Sequence, residues 1–414
     1  MEEINTYNPR YSSLKKMKKS GKNAATILQD NRALILQLIY EKKDISRKQL
    51  AEITGLQLAT ITIIIKELLA KGLICESGRT DGGNGRTVQT FSMEKNLYVI
   101  SIRMTAVYIK VAAYNTRMEN VYVKKVFYST DDTMAECTSI ILSSIEQIEA
   151  QLDKRNIIGV AIGVEHRYRL IEDDYAVWDK KRQEYCQIGK LIHDKTHYHV
   201  FTNRSINYST YRMNEVAAGI TGLKYFHVLI NISVSYELES AIIIDNEIIY
   251  GKNGRCGQIK DIRVGHDSDR TYQDTIAVPA VLNRATELIK DYPDSVIAQI
   301  EDLNIRDVIA GYDQRDPLCR KLFDEVCYHL GYCVAEQIKW MDPDVVIVGD
   351  EVPGSEDFQQ NLRKYVAKFA DERLAQRVFC IMKQRVTQND PALTGAADFA
   401  FQRIIGEIGL DSCV

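Results

Sequence analysis

Apolar residues recur at helical spacing through residues 23–41, where Ile27, Leu34 and Leu38, joined by Ile35, predict the inner side of a first helix. Ser46–Gly72 then reads as a helix, a tight turn and a second helix. Ser46 can cap the first of these, and Gln49 stands three residues on, where a capping box needs a side chain that reaches back. Leu50 and Ile53 give it a short apolar face, and Gly55 supplies the backbone freedom of the turn. Leu58 opens the second helix, Ile61, Ile65 and Leu68 form its inner stripe, and Gly72 closes it. Two short helices joined by a Gly-containing turn are the helix-turn-helix arrangement used to read DNA. Leu73–Ser77 and Thr87–Ser92 then predict a hairpin around the Gly-rich segment Gly78–Arg86, so residues 23–92 have the pattern of a winged helix-turn-helix.

Beyond residue 92 the pattern alternates between strand and helix. Tyr98–Ala113, Val121–Phe127, Ile157–Val164 and His199–Thr202 read as strands, with helical spacing over 132–153 and 206–219. Val228–Ile232, Ser240–Ile244 and Glu247–Tyr250 are further strands, the last two joined by a hairpin turn at Asp245-Asn246. From 276 on the chain is mostly helical, interrupted by Val345–Val348 after Asp342-Pro343. Such alternation predicts an α/β fold. Leu322, Val326, Leu330 and Val334 recur at four-residue spacing, a stripe suited to a core or to a self-association surface.

Composition narrows the class. At 414 residues the chain exceeds one compact core and implies two or three domains. No apolar run approaches the roughly 18 residues of a membrane span, and residues 1–20 lack an apolar signal core, so a cytoplasmic protein is expected. Nine cysteines include no Cys-x-x-Cys pair, which favours reduced thiols over disulfides or a thiolate metal site. Residues 1–92 hold 15 Lys and Arg against 9 Asp and Glu, although the whole chain carries a net charge of −3. A basic front on an acidic body suits a DNA-binding module joined to a regulatory domain. Residues 1–22, with Lys15, Lys16, Lys18, Lys19 and Lys22, read as a basic flexible arm that lies on phosphates.

The outer face of the second helix has base-reading chemistry. Gln pairs with adenine edges, Thr hydroxyls reach bases or phosphates, and Ala or Thr methyls meet thymine methyls. The candidate DNA-binding set is Ser46, Arg47, Gln57, Leu58, Ala59, Thr60, Thr62, Ile63 and Lys66, with Arg79 and Arg86 on the wing. His193 and His197 share a helix face near His199, but a metal site would need a further ligand and supporting contacts, and these histidines read as the end of a helix before a strand. No metal, no cofactor and no nucleophile-base set is expected.

SRKQLAEITGLQLATITIIIKELLAKGLICESGR, GNGRTVQTFSMEKNLYVISI, VFTNRSINYSTYRMNEVAAG, DPLCRKLFDEVCYHLGYCVAEQIKWMDPDVVIVGDEV and NDPALTGAADFAFQRII together resemble a transcriptional regulator of the ROK family (repressor, open reading frame, kinase) over residues 23–405. The resemblance implies a winged helix-turn-helix followed by a two-lobed body of the actin/hexokinase type, with a first lobe at 93–205 and a second at 206–414 whose last helix returns to the first. It implies a repressor that binds a double-stranded operator as a homodimer or higher assembly, with a carbohydrate-like effector. A carbohydrate kinase with an appended winged helix is the alternative. Kinases of this type hold ATP phosphates with an Asp-containing turn and a glycine run. Here those positions carry Arg103, in Ser101–Thr105, and the glycine-free Ile232–Glu239 with its two carboxylates. The family's catalytic Asp falls on Arg204, after Asn203, and a guanidinium cannot abstract a hydroxyl proton. The Gly-Glu-Ile-Gly-His stretch falls on Gly257–Asp261, leaving Asn203, Gln258 and Asp261 as candidate effector contacts. The family's Cys-rich zinc loop is replaced by Val264–Arg270, with one His and no Cys. The resemblance, so modified, implies a regulator without catalysis.

Overall fold

The computed structural model describes residues 24–410 except 82–86, 129–132, 166, 173, 224, 246, 266–267 and 383–389. The expected basic arm, Arg86, Asn246 and His266 lie outside the described residues. The chain divides into two compact units. One takes in the chain up to Val164, Ile171–Asn203 and Ala396 onward; the other takes in Glu165–Leu170 and Arg204–Gly395.

The first unit opens with α1 (Ala24–Lys42), β1 (Ile45–Ser46), α2 (Arg47–Thr54) and α3 (Leu58–Ala70). A hairpin of β2 (Ile74–Asp81) and β3 (Thr87–Met93) follows, and β1 adds to β3 with Ile45 opposite Phe91. The core of this small domain is Ile35, Leu36 and Ile39 of α1, Leu50 of α2, and Ile61, Ile64, Ile65 and Leu68 of α3. Two expected inner residues are corrected. Ile27, in the first turn of α1 and ahead of its buried stretch, is 47% exposed, and Ile53 is 53% exposed because Leu50 is the buried residue of the short α2.

Strands β4 (Tyr98–Met104), β5 (Tyr108–Asn115), β6 (Asn120–Phe127), β7 (Ile157–Val164) and β11 (Val200–Arg204) make a five-stranded sheet in the order β11-β7-β4-β5-β6. Helix α4 (Met134–Glu149) is held at its start by a Thr133/Glu136 capping box. Between β7 and β11 lie β8 (Tyr168–Ile171), the antiparallel pair β9 (Asp174–Asp179) and β10 (Glu184–Cys186), and α5 (Ile188–Thr196). The β9–β10 pair was not expected from the sequence.

In the second unit α6 (Ser205–Thr221) precedes β12 (Val228–Val234), β13 (Leu238–Ile244) and β14 (Glu247–Ile248). These join β15 (Val345–Asp350) and β16 (Val378–Met382) in the order β14-β13-β12-β15-β16, with β12, β15 and β16 parallel. The helical region expected from 276 on therefore contains β16 as well as β15. Helix α7 (Gln273–Ile276) leads into it, and it also contains α8 (Val278–Leu288), α9 (Ile305–Asp313), α10 (Pro317–Met341), α11 (Glu356–Phe369) and α12 (Glu372–Ala375). Leu322, Val326, Leu330 and Val334 of α10 are all buried in the core of this unit, so the stripe is core and not a surface for a second copy. The last helix, α13 (Pro391–Leu410), begins in the second unit and continues in the first.

Candidate nucleic-acid interface and effector site

The reading helix is set by local chemistry. The Ser46 hydroxyl accepts from the Gln49 amide, and Gln49 Oε1 accepts from the Ser46 amide at 2.9 Å, closing the expected capping box. Ser46 is therefore 2% exposed with its side chain committed to the start of α2, and it supports the interface without lining it. Gly55 takes φ +70°, a left-handed conformation that lets the chain reverse into α3. Gln57 occupies the N-cap position of α3 but makes no side-chain cap bond. Its amide, exposed at the head of the helix, is placed as a base-reading group would be.

The outward face of α3 matches the expected one. Ala59 and Lys66 are exposed, Thr60 and Thr62 half-buried, and Leu58 and Ile63 are 56% and 62% exposed. Two large aliphatic side chains on the outer face of a helix are suited to thymine methyl groups. Thr62 departs from expectation in one respect: its hydroxyl donates to the Leu58 carbonyl at 2.7 Å, which leaves its methyl as the outward feature. Arg47 is held with its guanidinium 4.5 Å from the Phe91 ring centroid, and Phe91 is fully buried in the hairpin. Arg79 is exposed on β2 opposite Gln89.

The positions that hold nucleotide in the kinases are arranged differently. At the first turn the Thr105 hydroxyl accepts from the amides of Val107 and Tyr108 at 3.3 and 3.0 Å. These amides are thus engaged within the turn. Arg103 is buried on β4. At the second, the Leu238 amide donates to Gln273 Oε1 at 2.9 Å, Lys260 pairs with Glu237, and Glu239 is buried against Arg204. No glycine admits a phosphate at either turn.

Arg204 is 1% exposed. Its guanidinium lies 3.3 Å from Glu239 and donates to the carbonyls of Ser240, at 3.0 Å, and Cys256. Tyr168 donates to the Glu239 carboxylate, and Gln258 Nε2 donates to the Tyr168 hydroxyl at 2.8 Å. Burial pushes the Glu239 carboxyl above its ordinary range, against the opposing pull of Arg204 and Tyr168. Gln258 Oε1 also accepts from Arg255 at 2.8 Å, so both ends of this candidate effector residue have protein partners. Gly257 anchors the loop at φ +81°, where a Cβ would meet the Ser240 carbonyl oxygen at 2.1 Å. Asp261 is exposed on the same loop. Asn203 is fully buried in the first unit, at the end of β11. Sequence reasoning missed Tyr168, which no motif marks; Glu239 and Arg204 were both visible as charge changes at family positions but were not matched to each other.

His193 Nδ1 lies 2.7 Å from the Tyr198 carbonyl oxygen, and His197 takes the left-handed C-cap of α5. Among the described residues no group of three or more His, Cys, Asp or Glu could hold a metal ion. The segment Val264–Arg270 has no cysteine and does not fit the family's zinc.

A winged helix joined to a sugar-kinase-type body, with arginine where the kinases carry their catalytic base, has the organisation of a DNA-binding transcriptional regulator. The chain belongs to the ROK family, whose model matches residues 99–403, and the MarR family model matches residues 28–79 ahead of it. It is 22% identical to the xylose repressor of Caldicellulosiruptor bescii over 364 residues, covering 83% of this chain and 89% of that protein. It is 22% identical to the DNA-binding transcriptional dual regulator NagC of Escherichia coli K12 over 343 residues, 80% of this chain and 82% of that one. The fold superimposes on a crystal structure of a ROK family transcriptional regulator, a homolog of the E. coli MLC protein. The TM-score is 0.74 at 18% identity, over 93% of this chain and 99% of that one. A ROK family glucokinase from Streptomyces griseus, in complex with glucose and AMPPNP, matches with TM-score 0.59 at 17% identity over 73% of this chain and 98% of that one. No helix among the described residues is long and apolar enough to cross a membrane.

Proposed function

We propose that the chain is a cytoplasmic repressor that reads a double-stranded operator through α3 as a homodimer or higher assembly, under the control of a carbohydrate-like effector. The observation that carries this reading is the outer face of α3, where Gln57, Leu58, Ala59, Ile63 and Lys66 face solvent on a basic domain while Arg204, Glu239, Tyr168 and Gln258 of the body bond one another. Gln57, Thr60 and the Thr62 methyl supply base contacts; Lys66, Arg47, Arg79 and Arg86 supply phosphate contacts. Pairing follows from the length of a half-site. One winged helix touches few base pairs, and two readers about 34 Å apart, or a multiple of that, read a pseudo-palindrome together. The carbohydrate class is supported by relatives named for xylose and N-acetylglucosamine.

Selection of bound genomic fragments by the full chain tests the reading: a shared pseudo-palindromic sequence is expected, and fragments without a common sequence would refute it. One observation favours a second reading, in which the body only pairs the readers and takes no effector: Arg204, Glu239, Tyr168 and Gln258 are already bonded to one another. A thermal-shift screen over sugars, sugar phosphates and amino sugars decides between the two. A concentration-dependent rise in Tm supports an effector, and no shift with any of them supports assembly alone.

A further inference from the structure

The recognition helix is braced by α1 at one place, and α1 is fastened to the last helix at another. Arg32, in the middle of α1 and almost fully buried, donates through Nε and Nη2 to Glu67 Oε2 of α3 at 3.2 and 2.8 Å. Glu67 lies near the end of α3, and Lys71 approaches its other oxygen at 3.5 Å. Two turns beyond Arg32, about 12 Å along the helix axis, Tyr40 is also buried. Its hydroxyl donates to Asp398 Oδ1 of α13 at 2.7 Å and lies 3.6 Å from Met118 Sδ. Its ring packs 5.7 Å from that of Phe401, one turn along α13 from Asp398.

We propose that Tyr40 and Asp398, together with Arg32 and Glu67, are positioning residues for operator recognition: they connect α13 to α3 through α1 and so set the angle of the reading helix. None of the four belongs to the outer face of α3. An apolar contact would hold α1 against α13 in several registers, whereas a buried tyrosine-to-carboxylate hydrogen bond holds one. The chain passes from the second unit into the first within α13, between Gly395 and Ala396. A displacement of this helix is therefore delivered to Tyr40, carried by α1 as a stiff element, and passed to α3 at the Arg32–Glu67 pair. The inference rests on α3 being the DNA reader.

The test uses the full chain, its selected operator and a scrambled duplex at one salt concentration. Tyr40→Phe removes the hydrogen bond, and Asp398→Asn takes the charge from its acceptor and so weakens it, both while keeping side-chain shape. Each is expected to lower operator affinity about fivefold or more, the size of a modest coupling between sites, with affinity for scrambled DNA unchanged. The double variant is expected to be no weaker than Tyr40→Phe alone, because without the hydroxyl the acceptor at 398 has no bond left to lose. Glu67→Gln is expected to lower the operator-to-scrambled ratio through the other brace. Tm measured on every variant identifies a general loss of fold, and the conservative Asp398→Asn keeps the test open if Tyr40→Phe unfolds. Wild-type operator-to-scrambled ratios in Tyr40→Phe and Asp398→Asn would overturn the proposal, as would equal loss on both duplexes at unchanged Tm. A wild-type chain that cannot separate the two duplexes would instead remove the DNA-reading assignment on which the proposal depends.

Discussion

The reader and the kinase-derived part of the body use the same kinds of side chain in opposite ways. On α3, Gln57 makes no cap bond and Lys66, Leu58 and Ile63 point to solvent, so the chemistry on that face is available to a partner. In the second unit, Arg204, Glu239, Tyr168 and Gln258 are turned on one another and buried or half-buried. A side chain on an open face is left with bonds to make, whereas a charged side chain buried in the body takes partners within the protein, because an unpaired buried charge is costly. The difference separates a face open to a partner from a cluster closed on itself.

The largest expected effect breaks the buried half of this comparison. Arg204→Ala leaves Glu239 without its cation and should destabilise the chain by about 3–5 kcal/mol in denaturant unfolding. Arg204→Met combined with Glu239→Gln removes both charges and should cost clearly less than Arg204→Ala alone. If the single and double changes were equally mild, the pair would not be what holds this region together. Gly257→Ala comes next. The left-handed φ and the collision with the Ser240 carbonyl oxygen predict a loss of about 2 kcal/mol or more, checked by the same unfolding curves.

Smaller effects are expected in the reader. Ser46→Ala removes a cap and should cost about 1 kcal/mol, weakening DNA binding in general by fraying the start of α2. Thr60→Ala should reduce operator preference more than Thr62→Ala, since the Thr62 hydroxyl is already bound to the Leu58 carbonyl and only its methyl faces outward. Arg86→Ala should weaken binding to all sequences alike and lower the slope of log affinity against log salt by about one. Binding titrations on operator and scrambled duplexes at several salt concentrations separate these two behaviours. On the body, a coupled ADP-release assay over hexoses and amino sugars should show no sugar-dependent turnover; turnover abolished by a change at Arg204 would reverse the assignment of that position.

The sequence was most informative where structure is local. The Ser46/Gln49 box, the Gly55 turn and the Ile61/Ile65/Leu68 stripe each depend on residues within one or two helical turns, and all three are present. Ile53 and Ile27 were misplaced because spacing within one helix does not say which part of its length a neighbour covers. The strand Val378–Met382 was not recognised among helices, since a short apolar run has no period of its own and its pairing partner Val345–Asp350 lies far away in sequence. The departures from the kinase pattern were legible in Arg103, Arg204 and the glycine-free turn. What replaced it was not: Tyr168 reaches Glu239 from 71 residues away, and no local pattern announces such a contact. Likewise Tyr40 and Asp398 meet across 358 residues.

On the proposed function, the exposed face of α3 distinguishes one duplex sequence from another. The direct measurement is equilibrium binding of the full wild-type chain to its selected operator and to a scrambled duplex of equal length at moderate salt. The operator is expected to bind at least about a thousandfold more tightly, the lower end of what specific readers achieve, and Gln57→Ala combined with Thr60→Ala is expected to remove much of that margin. Equal affinity for the two duplexes, or a margin untouched by those changes, would contradict it.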